Sequence, residues 1–296
     1  CARDRAGIKP FYYYFKDGLF LFGSELKAFH EHERFDKRID KNAVAAFMQY
    51  GNVPTPHCIF ESCFKLKAGH FMEVSLESES DVRVSPKDQI QYWNVYDAYN
   101  KPKLDMSFED AKKQTEKVLI DACNYRMVSD VPVGVFLSGG YDSASVTALL
   151  QKERTEKLKT FTISVPDIGL DEAPYAKEIA AYLGTNHTEI QCTHKEAIEL
   201  IGDLPYYYDE PFADSSAIPT TLVSLAARKH VTVALSADAG DEVFAGYNRY
   251  DYIQRYGNKI NRIPSFMRKI MASGMDKIPS NYIPFLRHKY NFHNRY

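Results

Sequence analysis

The chain has 296 residues, 45% hydrophobic, 26% charged and 14% aromatic, with a formal net charge of −2. That length exceeds what one hydrophobic core usually supports, the composition excludes a disordered chain, and the near-balanced charge gives no electrostatic reason for a nucleic acid or a membrane surface as partner. Five cysteines, Cys1, Cys58, Cys63, Cys123 and Cys192, form no Cys-x-x-Cys pair, so neither a disulfide framework nor a zinc site is signalled and a reducing, cytoplasmic setting fits.

Near the start, FYYYFKDGLFLFG at 11–23 is expected to form two strands joined at Lys16-Asp17-Gly18, because Asp-Gly suits a tight hairpin turn. SELKAFHEH follows as a short helical piece, and alternating runs such as HFMEVSL at 70–76, with a turn at Ala68-Gly69, extend the β character to about residue 95. The pattern changes at Asn100-Lys101-Pro102. Ser107 with Asp110 can cap a helix, and Val118, Leu119, Ala122 and Tyr125 recur at helical spacing as its apolar face. Strand VPVGVFL, a helix from Ser143 to about Lys152, strand KTFTISV, a helix Ala173–Leu183, a helix Ile218–His230 and strand VTVALS then alternate. Apolar strands separated by helices imply a parallel sheet covered on both faces. The fold class is α/β, with a boundary near residue 100 between a β-rich part, 1–100, and the parallel-sheet part, 101–296.

The last forty residues carry Lys259, Arg262, Arg268, Lys269, Lys277, Arg287, Lys289 and Arg295 against Asp276. Prolines at 264, 279 and 284 break this stretch into short pieces, and no nucleic-acid partner is expected. No apolar run reaches the roughly 18 residues of a membrane span, and the charged opening Arg3-Asp4-Arg5 is unlike a signal peptide.

Residues 131–150, VPVGVFLSGGYDSASVTALL, carry the chemistry. A strand ends at Leu137, Gly139 and Gly140 allow a tight turn, and a helix follows, so backbone N–H groups and the hydroxyls of Ser138 and Ser143 converge on one point. Phosphate suits such a point. The loop is neither a Walker A motif nor a dinucleotide fingerprint. On these residues alone, a plain chain reversal capped by Asp142 is an equal reading.

The string SGGYDS resembles the S-G-G-x-D-S pyrophosphate loop of the ATP pyrophosphatases. The blocks SDVPVG (129–134), TFTISV (160–165), DEAPYAKEIAAYLGTNH (171–187), DEPFADSSAIPT (209–220) and LSADAGDEVFAGYNRY (235–250) resemble, in order, the synthetase domain of glutamine-dependent asparagine synthetases. RDRAGIKPFYYYF, GSELKAF and LKAGHFMEV look like the later part of that family's glutaminase domain. The resemblance implies an Ntn-type glutaminase portion over 1–100 and a PP-loop domain over 101–296. It implies ATP and Mg²⁺ as cofactors, aspartate or a related acid and glutamine-derived ammonia as small-molecule substrates, and it allows a homodimer.

Carried over residue by residue, the resemblance implies that Leu137, Ser138, Gly139, Gly140, Asp142, Ser143, Ile163, Ser236 and Ala237 hold the nucleotide and that Asp142 and Asp241 bind the metal. Asp238 would form the acyl-adenylate and accept a proton, with Glu210 and Asp214 as competing carboxylates. Tyr141, Ala237 and Ala245 depart from the family's usual Leu and Gly, which leaves open another carboxylic acid as substrate; a non-catalytic nucleotide-binding module is a further alternative. The family's nucleophile is a Cys-Gly at the mature N-terminus. Cys1, followed by Ala2, is therefore expected to be structural, the nucleophile segment and the closing C-terminal part to lie outside this chain, and its own turnover to be impaired.

Overall fold

The computed structural model describes residues 1–74, 88–152, 154–164 and 171–275. Ser75 and Leu76 of HFMEVSL, Val165 of TFTISV, and Asp276, Lys277, Pro279, Pro284, Arg287, Lys289 and Arg295 of the basic segment lie outside these residues. Two compact units are formed, one by Cys1–Asp105 with Glu199–Ala217, the other by Met106–Ile198 with the residues from Ile218 onward.

In the first unit, β1 (Tyr12–Lys16) and β2 (Leu19–Gly23) pair antiparallel with Lys16 opposite Leu19. Asp17 and Gly18 form the two-residue turn, both at positive φ (48° and 72°), the left-handed geometry that Asp-Gly supplies. A 3-10 turn, Leu26–Glu31, occupies the expected helical piece. Helix α1 (Lys41–Tyr50) was not anticipated, although its start and stop signals both stand in the sequence: Asp40 accepts from the Asn42 N–H at 2.8 Å, and Gly51 ends it at φ 76°. Strand β3 (Cys63–Lys65) pairs with β1 on the side away from β2, giving the order β2-β1-β3. As the central strand β1 is buried on both faces. Tyr14 packs with Leu26, Phe29, Phe35, Cys58 and Cys63 on one side, and Tyr13 with Leu66 and Met72 on the other. Short strands β4 (His70–Phe71) and β5 (Ile90–Gln91) pair, followed by α2 (Val95–Tyr99).

The second unit opens with α3 (Phe108–Arg126), N-capped by Ser107 accepting from the Asp110 N–H at 3.1 Å. Its packed face overlaps the anticipated one in part, with Leu119 and Ala122 half-buried. Val118 and Tyr125 are 66% and 79% exposed, and the buried residue is Cys123. Cys123 and Met127 meet Val135, Val146, Leu150 and Leu158, so the packed stripe is centred on Cys123 and leaves Val118 and Tyr125 outside it.

Strand β6 (Val133–Phe136), α4 (Tyr141–Lys152), β7 (Lys159–Ser164), α5 (Ala173–Leu183) and β8 (Asn186–Gln191) then alternate. The helices α6 (His194–Leu200), α7 (Leu204–Tyr208) and α8 (Ala217–Ala227) precede β9 (Val233–Leu235). Last come α9 (Gly240–Phe244), α10 (Asn248–Asn261) and α11 (Ser265–Met275). The four strands are parallel in the order β8-β7-β6-β9.

Alternation along β6 covers both faces of the sheet. Val135 faces α3 and α4, while Phe136 joins Phe161 against Val223 and Ala227 of α8. A covered parallel sheet is what the apolar runs implied.

The segment Glu199–Ala217 packs in the first unit, although its place in the chain is beyond residue 100. Two adjacent carboxylates fix it. Asp209 accepts from the Leu26 N–H at 2.8 Å, at the start of the 3-10 turn, and pairs with Lys27 at 3.0 Å. Glu210 accepts from the Ile59 N–H at 2.8 Å and pairs with Lys65, whose ammonium also donates to the Val53 carbonyl at 2.6 Å. Side-chain exposure is 8% for Glu210 and 14% for Lys65. Burial, then the Glu210 charge, pushes the Tyr12 hydroxyl pKa far up. Removing one member of such a pair strands the other charge. Glu210→Ala is therefore expected to cost about 3 kcal/mol of stability, read by chemical denaturation; an unchanged midpoint would show the pair to be dispensable.

At the start of β8, His187 Nδ1 and the Thr185 hydroxyl both reach Thr160 Oγ1, at 2.9 and 3.0 Å, while the buried His187 Nε2 has no hydrogen-bond partner among the described residues. Burial lowers the His187 pKa; Glu189 opposes this and Lys177 adds to it. A lowered pKa in the folded state favours the neutral ring, so this stabilisation is present above the unfolded pKa, roughly 6.5, and is lost as pH falls through the lower folded value. Denaturation midpoints measured from about pH 7 down to pH 5 should decline, and His187→Gln should flatten that part of the decline.

Candidate nucleotide site

The pairing of β6 with β9 sets the site. Val133, Gly134 and Val135 stand opposite Val233, Ala234 and Leu235, so the segments that follow, 137–142 and 236–241, leave the sheet side by side. From β6 the chain moves outward to β7 and β8, whereas β9 lies on the other side of β6. This is a switch point of a parallel sheet, where a crevice opens beyond the strand ends.

The loop after β6 is held by its own serines. Ser143 Oγ accepts from the Ser138 N–H at 3.0 Å and lies 2.8 Å from Ser138 Oγ, which accepts from the Gly140 N–H at 3.1 Å. Thr147, fully buried, donates its hydroxyl to the Ser143 carbonyl at 2.7 Å and fixes the first turn of α4 beneath the loop. Helix α4 starts at Tyr141, earlier than Ser143, so Asp142 lies in its first turn. Leu137 is 2% exposed and packs with Ala176 and Ala180 of α5. Its side chain is core, which leaves backbone contacts for any ligand. Ile163 is half-buried among the residues under α8.

Asp142 and the start of α9 are in close contact. A Cβ at Gly240 would overlap the Asp142 carboxylate, so the glycine admits Asp142 beside the residue that precedes Asp241. Likewise a Cβ at Gly246 would overlap the Asp241 carboxylate. The structure therefore brings the two metal-ligand candidates to one end of the sheet. Two carboxylates completed by phosphate oxygens and water suit Mg²⁺; among the described residues no cluster of three or more metal-ligating side chains is found.

Ala239 and Ala245, at φ 76° and 58°, bracket α9 in the left-handed region that costs an L-residue about 1–2 kcal/mol. Ser236 and Asp238 are exposed and Ala237 half-buried along the same segment.

Glu210 and Asp214 are placed differently. Both belong to the first unit, where Glu210 is engaged by Lys65 and Ile59, and Asp214 accepts from the Ser216 N–H at 2.8 Å. The Ser216 hydroxyl, and then that backbone contact, lower the Asp214 pKa. Sequence reasoning also passed over Gly240 and Gly246, whose only signal was a glycine beside or near a candidate carboxylate. Among the described residues no helix is long and apolar enough to cross a membrane.

The chain matches two protein families. The asparagine synthase family matches residues 114–291, and the glutamine amidotransferase domain family matches residues 1–88. A protein of Methanocaldococcus jannaschii provisionally named glutamine-hydrolyzing asparagine synthetase 2 is 40% identical over 276 residues, covering 91% of this chain and 51% of that protein. The glutamine-hydrolyzing asparagine synthetase 1 of Bacillus subtilis is 34% identical over 270 residues, covering 91% and 40%. The chain thus spans about half the length, or less, of these relatives. A solved ammonia-dependent NAD synthetase from Campylobacter jejuni overlaps at a TM-score of 0.32 and 15% identity, over 46% of this chain and 60% of that one, a likeness too slight to weigh. With the synthase family spanning most of the second unit and the amidotransferase domain most of the first, the chain belongs to the asparagine synthase family.

Proposed function

We propose that the protein makes an amide from a carboxylic acid in two steps, with ATP and Mg²⁺, and that the acid is aspartate. The side-chain carboxylate of aspartate attacks the α-phosphorus of ATP, the bond to the β-phosphate breaks, and pyrophosphate leaves β-aspartyl-AMP. Ammonia derived from glutamine then attacks the acyl carbon, the bond to AMP breaks, and asparagine is released. The observation that carries this reading is the side-by-side exit of the loops after β6 and β9, which puts the SGGYDS turn against the segment holding Asp238 and Asp241.

The chain's own groups divide the work. Backbone N–H groups of Gly139 and Gly140 with the hydroxyls of Ser138 and Ser143 receive the terminal phosphates. Asp142 and Asp241 would hold Mg²⁺, which supplies charge neutralisation on the triphosphate when bound. Ser236, Ala237, Ile163 and the Leu137 backbone border the nucleoside. Asp238 takes the proton released when ammonia attacks; Glu210 is not assigned this role, because a lysine ammonium and a backbone N–H already occupy its carboxylate.

Exchange of labelled pyrophosphate into ATP, run with the protein, Mg²⁺ and aspartate, tests the first step directly. Asp142→Asn and Asp241→Asn should each lower the exchange about 100-fold or more, because several kcal/mol of charge stabilisation is removed. Undiminished exchange in both variants would overturn the metal assignment. Absence of exchange in a well-folded, complete version of the protein, with aspartate and with a panel of other acids, would overturn adenylation itself.

A further inference from the structure

The segments that meet beyond β6 and β9 are acidic. Residues 138–143 and 236–242 contain Asp142, Asp238, Asp241 and Glu242 and no lysine or arginine. A magnesium triphosphate adds further net negative charge. Backbone dipoles lessen this repulsion without supplying a counter-charge, so a cation is needed near the phosphates. The first one in the chain after Asp241 is Arg249.

Its geometry suits that need. The Gly246 N–H donates to the Asp241 carbonyl at 2.9 Å, and the Asp241 carboxylate lies against Gly246, so the chain folds tightly around Asp241. The next residue, Tyr247, donates its hydroxyl to Glu242 Oε1 at 2.9 Å, which fixes the ring beside the acidic segment. The Arg249 guanidinium lies over that ring, 4.1 Å from its centroid, and 5.9 Å from the centroid of Tyr250. Among the described residues no carboxylate pairs with Arg249, and the residue is exposed. Stacking positions the cation without using its N–H donors, and the guanidinium fork matches phosphate oxygens in pairs.

We infer that Arg249 binds the β,γ-phosphates of ATP and the departing pyrophosphate, its guanidinium held in place by Tyr247. This deepens the adenylation reading and rests on it. A guanidinium merely packed on tyrosine would have no preference among nucleotides, whereas a β,γ-phosphate ligand separates ATP and pyrophosphate from AMP.

Calorimetric titration of the protein, Arg249→Met and Arg249→Lys with magnesium ATP, magnesium pyrophosphate and AMP tests the inference. In Arg249→Met the dissociation constants for ATP and pyrophosphate should rise about 10- to 100-fold, the AMP constant should stay unchanged, and Arg249→Lys should recover part of the loss. Equal ATP and pyrophosphate binding in Arg249→Met, in a protein that still catalyses pyrophosphate exchange, would overturn the role of Arg249 and leave adenylation standing. Parallel weakening of AMP, or a fall in melting temperature common to both variants, would also overturn it, by showing a structural residue. Failure of a well-folded, complete version of the protein to bind magnesium ATP would remove adenylation and this inference together.

Discussion

Parallel pairing between β6 and β9 is the constraint on which the candidate site depends. Val135 and Leu235 are a hundred positions apart in the chain, yet they stand opposite each other in the sheet. Because side chains alternate across a strand, a slip of one residue would send Val135 and Phe136 to the wrong faces, away from α3 and α4 on one side and α8 on the other. The packing that stabilises the sheet therefore also fixes where each strand ends. Gly240 and Gly246 complete the arrangement by leaving room for two carboxylates that a β-carbon would exclude.

The two units use carboxylates in opposite ways. In the first, Asp209 and Glu210 are buried and fully engaged, by a lysine and a backbone N–H each. Such groups, each with both oxygens engaged, hold structure. In the second, Asp238 is exposed, and Asp142 and Asp241 are seated against glycines. The bracketing of α9 by two left-handed alanines places strain at this end of the sheet, where functional sites commonly store it.

Much of this was legible in the amino-acid order, wherever a local rule decided the outcome. Asp17-Gly18 specified a hairpin turn, Ser107 a cap, and Gly139-Gly140 after an apolar strand specified the loop. What escaped notice depended on weaker or non-local signals. Strand β8, Asn-His-Thr-Glu-Ile-Gln, lies at a sheet edge and has few apolar residues to betray it. Helix α1 was announced by Asp40 and Gly51 but sits within a stretch dominated by β patterns. The face of α3 was read only in part: Leu119 and Ala122 are half-buried, but Val118 and Tyr125 are exposed and the buried residue between them is Cys123. The membership of 199–217 in the first unit had no local signature, since it rests on ion pairs with residues far back in the chain. The family resemblance carried in the ordered blocks agrees with both matching domains, while the roles of individual side chains depend on charge and proximity that order alone does not convey.

That discontinuous membership has a consequence for how the molecule is made. Ile59 and Glu210 are 151 positions apart, and Tyr12 and Glu210 are 198 apart. A ribosome adding roughly 5–20 residues per second would leave Lys65 without its carboxylate for many seconds after β3 emerges. The first unit would wait, partly assembled, until the α7–α8 stretch was translated, yet its last segment would still emerge before β9, which the sheet of the second unit requires.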